Sequence, residues 1–66
     1  MHFLRKGLVL KHTGKQGKGV VIDWGITGAK YSEYILSKKE RADSVRVWTG
    51  NKIEVWPLAQ VFLEEA

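Results

Sequence analysis

Short apolar runs separated by glycine restrict this chain to a small fold built from strands. Five stretches rich in valine and isoleucine alternate with polar residues, a pattern that is typical of β-strands. They cover residues 7–12, 18–24, 45–49, 52–56 and 61–64. Together with the glycines between the runs, this pattern predicts an all-β fold.

The connections between these runs predict the order of a small barrel. A glycine-rich stretch, TGKQG, joins the first two runs, and Gly50-Asn51 separates the third from the fourth. Pro57 cannot donate to a sheet ladder and so ends the fourth run, and the sequence PLAQ suits a short 3₁₀ turn before the fifth. We therefore predict a five-stranded SH3-like barrel, a single domain over residues 1–66, because closing the sheet removes exposed edges. An OB-fold is the alternative, although it usually needs a longer chain.

Residues 25–44, which connect the second and third predicted strands, are compatible with two structures. Tyr31, Tyr34, Ile35 and Lys38 have helical spacing, which favours a short helix. The same segment is equally compatible with an extended arm whose charged tip is SKKERADS. The sequence leaves this choice open.

The pairing of the third and fourth strands decides where two of the three tryptophans point. A two-residue Gly50-Asn51 turn places Trp48 opposite Ile53, and each sheet face then mixes charged and apolar side chains. A three-residue loop turns every side chain over. One face then holds Val45, Val47, Thr49, Ile53 and Val55, and the other holds Arg46, Trp48, Glu54 and Trp56.

The second pairing is the one we predict. The Gly-Asn dipeptide suits a two-residue turn, but an unpaired buried charge costs several kcal/mol, whereas a less favoured turn costs roughly 1 kcal/mol. Trp48 and Trp56 are therefore expected on the outside of the barrel, beside Arg46. The corresponding predicted core contains Leu8, Leu10, Val20, Ile22, Val45, Val47, Ile53, Val55, Leu58, Val61 and Leu63.

The composition gives little support to catalysis or metal binding. The 66 residues include no cysteine, so neither a disulfide nor a thiolate metal site is available. His2 and His12 are too few and too isolated for a structural zinc site, and the ring of His12 is expected to cap its loop by a hydrogen bond. No nucleophile–base or paired-carboxylate arrangement is recognisable. We therefore predict a protein that is not an enzyme and that uses no cofactor.

Charge and hydropathy predict a soluble, cytoplasmic protein. No apolar run approaches the roughly 18 residues that a membrane-spanning helix needs, and the N-terminus lacks the pattern of a signal peptide. The formal net charge of +4 permits attraction to nucleic acid or to another anionic partner without requiring it. The oligomeric state does not follow from the sequence.

Trp48, Trp56 and Arg46 form the first candidate binding site. Exposed indoles stack on nucleic-acid bases, and a guanidinium binds a phosphate or a guanine edge. The same residue types dominate protein–protein hot spots. Alternatively, the 25–44 segment covers this face and buries both rings.

The loop KHTGKQGKG is the second candidate. It places Lys11, Lys15 and Lys18 among glycines, so its backbone and ammonium groups can approach phosphates closely. It is equally compatible with a solvated hairpin loop whose lysines maintain solubility.

The spacing of Gly7, His12, Gly17, Gly19 and Val21 resembles the opening of the Tudor-like domain that ends UvrD/PcrA-type helicases. In that family a similar first strand leads through a G-x-G-x-V turn into the second strand of an SH3-like barrel. The same fold group includes KOW domains and the polymerase-binding module of CarD-like regulators. The resemblance covers about fifteen residues. It implies an SH3-like fold and contacts with nucleic acid or RNA polymerase.

The sequence therefore predicts a small binding module. Its expected partner is nucleic acid, either DNA or RNA, and its predicted contact residues are Arg46, Trp48, Trp56, Lys11, Lys15 and Lys18. The alternative is a protein–protein interaction module that docks on a larger complex such as RNA polymerase.

Overall fold

The computed structural model describes residues 4–28 and 34–64, which form an all-β fold. The strands are β1 (Val9–His12), β2 (Lys18–Thr27), β3 (Tyr34–Leu36), β4 (Ser44–Trp48), β5 (Ile53–Pro57) and β6 (Val61–Leu63). Five of them lie on the predicted apolar runs, and β3 is a sixth strand that the prediction did not include. A 3₁₀ turn at Leu58–Gln60 confirms the predicted turn before the last strand.

All six strands belong to one antiparallel sheet, in which β2 has the central place. The order along the sheet is β5-β4-β2-β1-β6. β1 pairs with residues 18–20 of β2, and β3 pairs with residues 25–27 on the same edge, while β4 occupies the opposite edge. A shift in register between Val21 and Asp23 marks a bulge, which bends β2 between its two partners.

The segment between β2 and β4 contains no α-helix within residues 34–44. It forms β3 and a second 3₁₀ turn, Lys39–Arg41. Gly25 lies beside β3, opposite Leu36, and a Cβ at this position would be only 2.2 Å from the carbonyl oxygen of Ile35. The absence of a side chain at residue 25 is what allows β3 to pack so closely. Tyr31, part of the predicted helical pattern, lies outside the described residues.

The β4–β5 hairpin has the two-residue turn, so the prediction of a three-residue loop is wrong. The Thr49 N–H donates to the carbonyl oxygen of Lys52 at 3.0 Å, and Trp48 is opposite Ile53. This register places Trp56 opposite Val45 on the inner face, where the indole is 2% exposed. Trp48 lies on the outer face as predicted and is 45% exposed.

The carboxylate of Glu54 explains why this register is stable. Glu54 shares the inner face with Trp56, but it lies beside the loop after β1 and its side chain remains 18% exposed. The Lys15 ammonium donates to its Oε1, and the Trp56 Nε1–H donates to the same oxygen at 3.0 Å. Because the charge is paired and partly hydrated, the expected cost of burying it does not arise, and the turn preference of Gly50-Asn51 decides the register.

The observed core therefore differs from the one predicted from the sequence. Its buried apolar members are Leu4, Leu10, Val21, Val45, Val47, Trp56 and Leu58, with Leu8, Trp24, Ala42 and Val61 packed against them. The predicted core positions Val20, Ile53, Val55 and Leu63 are instead exposed. Val21 replaces Val20 because the Val-Val-Ile run of β2 gives no alternation from which the inward residues could be read. No helix in the described ranges is long and apolar enough to cross a bilayer.

Candidate functional site

Apolar side chains form an exposed row across the outer face of the sheet. Val9, Val20, Trp48 and Ile53 are successive cross-strand partners on β1, β2, β4 and β5. All but Val9 are exposed, and Val55 extends the apolar surface along β5. Trp48 is the largest side chain of this row, which we call the tryptophan row.

A second row lies next to it and carries positive charge. Phe62, Lys11 and Lys18 are successive partners on β6, β1 and β2. Lys11 and Lys18 are each two residues from a member of the tryptophan row, so the two rows share the outer face. Phe62 is 48% exposed. The outer face therefore holds two exposed aromatic rings, Trp48 and Phe62, with two lysines between them.

The two lysines of this face differ in their ion pairs. The Lys18 ammonium is 2.8 Å from the Glu64 carboxylate, and both groups are partly exposed. Lys11 has no salt bridge to any carboxylate within residues 4–28 and 34–64. Exposed pairs of this kind exchange partners at little cost, since each contributes only about 0–1 kcal/mol. Lys11 is thus available to an anion directly, and Lys18 by exchange.

Arg46, a predicted contact residue, is bound within the domain. Its Nε donates to Asp23 Oδ1 at 3.1 Å, and its Nη2 donates to Oδ2. The Tyr34 hydroxyl donates to the same Oδ1 at 2.7 Å, and the guanidinium lies over the Tyr34 ring, 5.2 Å from its centroid. These three residues join β2, β3 and β4. Arg46 therefore acts first as a structural anchor on the outer face.

The charges of this anchor follow from its contacts. Burial alone would raise the pKa of Asp23, but hydrogen bonds from Arg46 and Tyr34 outweigh it and hold that pKa below its ordinary value. Burial and the hydrogen bond to Asp23 together raise the pKa of Tyr34. The carboxylate is therefore ionised and the phenol neutral at physiological pH.

Lys15 and Trp56 do not belong to the outer face. The Lys15 ammonium is paired with Glu54 at the end of the hairpin, and the ring of Trp56 is buried. The predicted exposure of Trp56 is wrong because it depended on the three-residue loop. Of the six predicted contact residues, the structure brings Arg46, Trp48, Lys11 and Lys18 together on one face, and it leaves Lys15 and Trp56 out.

The ring of His12 has the predicted capping role. The Gly14 N–H donates to His12 Nδ1 at 2.9 Å, which confirms the cap. The same ring packs edge-on against Trp56, with centroids 5.3 Å apart and planes at 67°. His12 therefore closes the loop and forms one wall of the Trp56 site.

The glycines of the helicase-like motif also have structural roles. Gly7 and Gly17 have φ values of +89° and +92°, which favour glycine. A Cβ at Gly19 would be 2.6 Å from Val47 Cγ2 and 3.0 Å from Trp56 Cη2. These glycines thus permit the positive φ values at residues 7 and 17 and leave space for Val47 and the indole beside residue 19.

A shallow depression of about 270 Å³ opens between the start of β1 and the end of β3. Lys6, Asp23, Trp24, Leu36 and Ser37 line it. The Lys39 ammonium is 5.7 Å from the centroid of the Trp24 ring. Residues 4–28 and 34–64 contain no cluster of three His, Asp or Glu side chains suited to a metal ion.

Phe62 is the residue of the outer face that the sequence prediction missed. Placing Val61 and Leu63 inward implied that Phe62 points outward, yet a single phenylalanine in a three-residue strand gives no signal of function. Its position becomes informative only through its pairing with Lys11. Cross-strand pairing of this kind cannot be read from local composition.

The chain matches no protein-family model, no curated protein and no solved structure.

Proposed function

We propose that this chain is an SH3-like binding module that contacts nucleic acid through its outer face. The proposed contact residues are Trp48, Phe62, Lys11 and Lys18. A barrel of this type is supported by the order of the strands other than β3, in which four form an antiparallel series and the last returns to pair with β1. The 3₁₀ turn before that last strand also agrees with it.

The observation that carries the proposal is the placement of two lysines between two exposed aromatic rings. An indole or phenyl ring stacks on a base, and an ammonium group neutralises a phosphate. The carboxylates near the two rows, Glu64 and Asp23, are each ion-paired with a basic residue. The net charge of +4 also favours association with a polyanion.

Docking on a protein is the second candidate function. Val20, Ile53 and Val55 extend the exposed apolar area around Trp48, and Arg46 is already neutralised by Asp23. Tryptophan surrounded by aliphatic side chains is typical of the centre of a protein interface. A larger complex such as RNA polymerase is the partner that the helicase resemblance suggests.

The dependence of binding on salt distinguishes the two functions. We expect the intrinsic tryptophan fluorescence to change on titration with DNA or RNA oligonucleotides at low salt. The affinity should fall steeply as salt rises, because bound phosphates release counterions. A Trp-centred protein interface should depend on salt much less.

Paired lysine variants show whether the outer face is responsible. Lys11→Gln with Lys18→Gln should weaken binding and reduce the slope of log K against log salt by roughly 1.4 for a single strand. The matched control is Lys38→Gln with Arg41→Gln, which removes the same charge from the segment before β4 and should leave the slope close to that of the unmodified chain. Absence of binding at low salt, or equal effects of the two double variants, would exclude this function for the outer face.

A further inference from the structure

We infer that the nucleic acid bound by the outer face is single-stranded, and that Phe62 and Trp48 each stack on an unpaired base. This inference rests on the proposed function and specifies its ligand. It depends on the type of side chain that the sheet presents and on the order of those side chains across the strands.

The outer face is suited to stacking on the flat faces of bases and not to contacts with their edges. In a duplex each base is stacked on its neighbours, and only its edge is accessible in a groove. Rings that lie on an open strand surface reach the flat face of a base only where the strand is unpaired. Trp48 and Phe62, at 45% and 48% exposed, are rings of this kind.

The hairpin that could enter a major groove lacks the side chains to read one. A two-stranded ribbon reads bases with polar side chains such as arginine, lysine, asparagine or glutamine. On the outer face of β4 and β5 the side chains are Ser44, Arg46, Trp48, Ile53, Val55 and Pro57, and Ser44 is buried. The only guanidinium among them is held by Asp23 through two hydrogen bonds. The outer face of the β4–β5 hairpin therefore lacks a free polar group that could recognise a base pair.

The order of the residues defines a path for a single strand. The path runs from Phe62 on β6, over Lys11 on β1 and Lys18 on β2, to Trp48 on β4. Three strand spacings, roughly 14 Å across the strands, and an offset of two residues, roughly 7 Å along them, separate the two rings. Lysines between the rings would meet the phosphates that link the stacked bases. Lys18 is paired with the Glu64 carboxylate beside this path and reaches a phosphate by exchange of that partner.

Fluorescence anisotropy with labelled oligonucleotides of equal length tests the inference. The probes are oligo-dT and oligo-U single strands of 12 nucleotides and a 12-base-pair DNA duplex, all at low salt. We expect either single strand to bind at least about tenfold more tightly than the duplex. Trp48→Ala and Phe62→Ala should each weaken single-strand binding by about 5- to 150-fold, the range that corresponds to the loss of one stacked base.

Three further variants control for the fold and for apolar area. Ile35→Ala removes an exposed apolar side chain from β3, away from the path, and should change affinity less than about twofold. Trp48→Leu and Phe62→Leu retain apolar surface without a ring and should bind as weakly as the alanine variants. They serve as the test if an alanine variant does not fold.

The outcomes separate this inference from the function on which it rests. Equal or tighter binding of the duplex overturns the inference while nucleic-acid binding stands. Full affinity in the leucine variants overturns it as well, because the rings would not be stacking. No binding to any of the probes overturns the proposed function itself and favours docking on a protein.

Discussion

At the scale of single residues, Gly19 shows how little free space this core contains. An added Cβ would be 2.6 Å from a methyl carbon of Val47 and 3.0 Å from the Trp56 ring. We therefore expect Gly19→Ala to lower the free energy of unfolding by about 1–3 kcal/mol through overpacking. Urea denaturation followed by tryptophan fluorescence measures this change.

Gly14→Ala is the matched control for this experiment. At Gly14 a Cβ would be 3.5 Å from His12 Cε1, which is an ordinary contact. The free energy of unfolding should therefore change by less than about 0.5 kcal/mol. If the two alanine variants were equally stable, Trp56 and Val47 would not pack on residue 19 as the structure indicates.

The carboxylate of Glu54 makes the stability of the domain depend on pH in the acidic range. Hydrogen bonds from Lys15 and Trp56 lower the pKa of Glu54 from 4.5 to about 2. Because the pKa is lower in the folded state, the stabilisation is present above pH 4.5 and is lost as the pH falls from there towards 2. Glu54→Gln should therefore lower the urea midpoint at pH 7 and flatten its dependence on pH in this range.

The exposed carboxylate of Glu40 provides the control for this pH dependence. Glu40 lies in the 3₁₀ turn before β4 and forms no salt bridge within the described residues. Glu40→Gln should therefore leave the profile of the unmodified chain unchanged. Some acid sensitivity should persist in Glu54→Gln, since the pKa values of Asp23 and Asp43 are also lowered. A Glu54→Gln profile parallel to that of the unmodified chain would show that the ion pair contributes nothing.

At the scale of elements, β3 depends on a side-chain anchor more than on its own length. It has three residues, and its exposed Ile35 and Leu36 bury little apolar area. The Tyr34 hydroxyl, bound to Asp23 at 2.7 Å, connects it to the sheet beside Arg46. Tyr34→Phe should therefore let β3 separate from β2 more often, without unfolding the rest of the domain.

Amide hydrogen exchange measures this local opening. Loss of the hydrogen bond, worth about 1.5–3 kcal/mol with a charged acceptor, should speed exchange in β3 by roughly 10- to 150-fold. The amides of β4 should keep their protection. Ser37→Ala is the control, because within the described residues the Ser37 hydroxyl bonds only to the neighbouring Lys38 carbonyl. Equal exchange in Tyr34→Phe and in the unmodified chain would show that the anchor does not hold β3.

The same scale shows what the sequence could and could not predict. The positions of five strands and of the last 3₁₀ turn follow from local signals, namely apolar runs, glycines and Pro57. The hairpin register does not, because it depends on Lys15, a residue 39 positions from Glu54 that neutralises its charge. On the candidate face, the position of Trp48 beside Arg46 follows from strand alternation in either hairpin register, whereas Phe62 required knowledge that β6 pairs with β1.

At the scale of the whole molecule, the sheet has a terminal strand with a partly blocked edge. β5 lies at one end of the strand order, and hydrogen bonding in its ladder with β4 alternates along the strand. The Thr49–Lys52 hydrogen bond fixes that alternation, so Ile53, Val55 and Pro57 turn their backbone groups outward. Pro57 has no N–H to donate, and Lys52 places a charge at the other end of the strand. Both features discourage pairing with another chain.

Removing both features should cause the domain to self-associate. In the double variant Lys52→Val with Pro57→Val, the edge gains an N–H donor and loses its charge, and the side chain at residue 57 joins those of Ile53 and Val55 on the same face. Sedimentation velocity should show association at concentrations at least about tenfold lower than for the unmodified chain. The matched control, Ser37→Val with Lys38→Val, removes one charge and adds the same two side chains beyond the end of β3. If both double variants associated alike, added hydrophobicity would be the cause; if neither did, the edge of β5 would be protected by something other than Lys52 and Pro57.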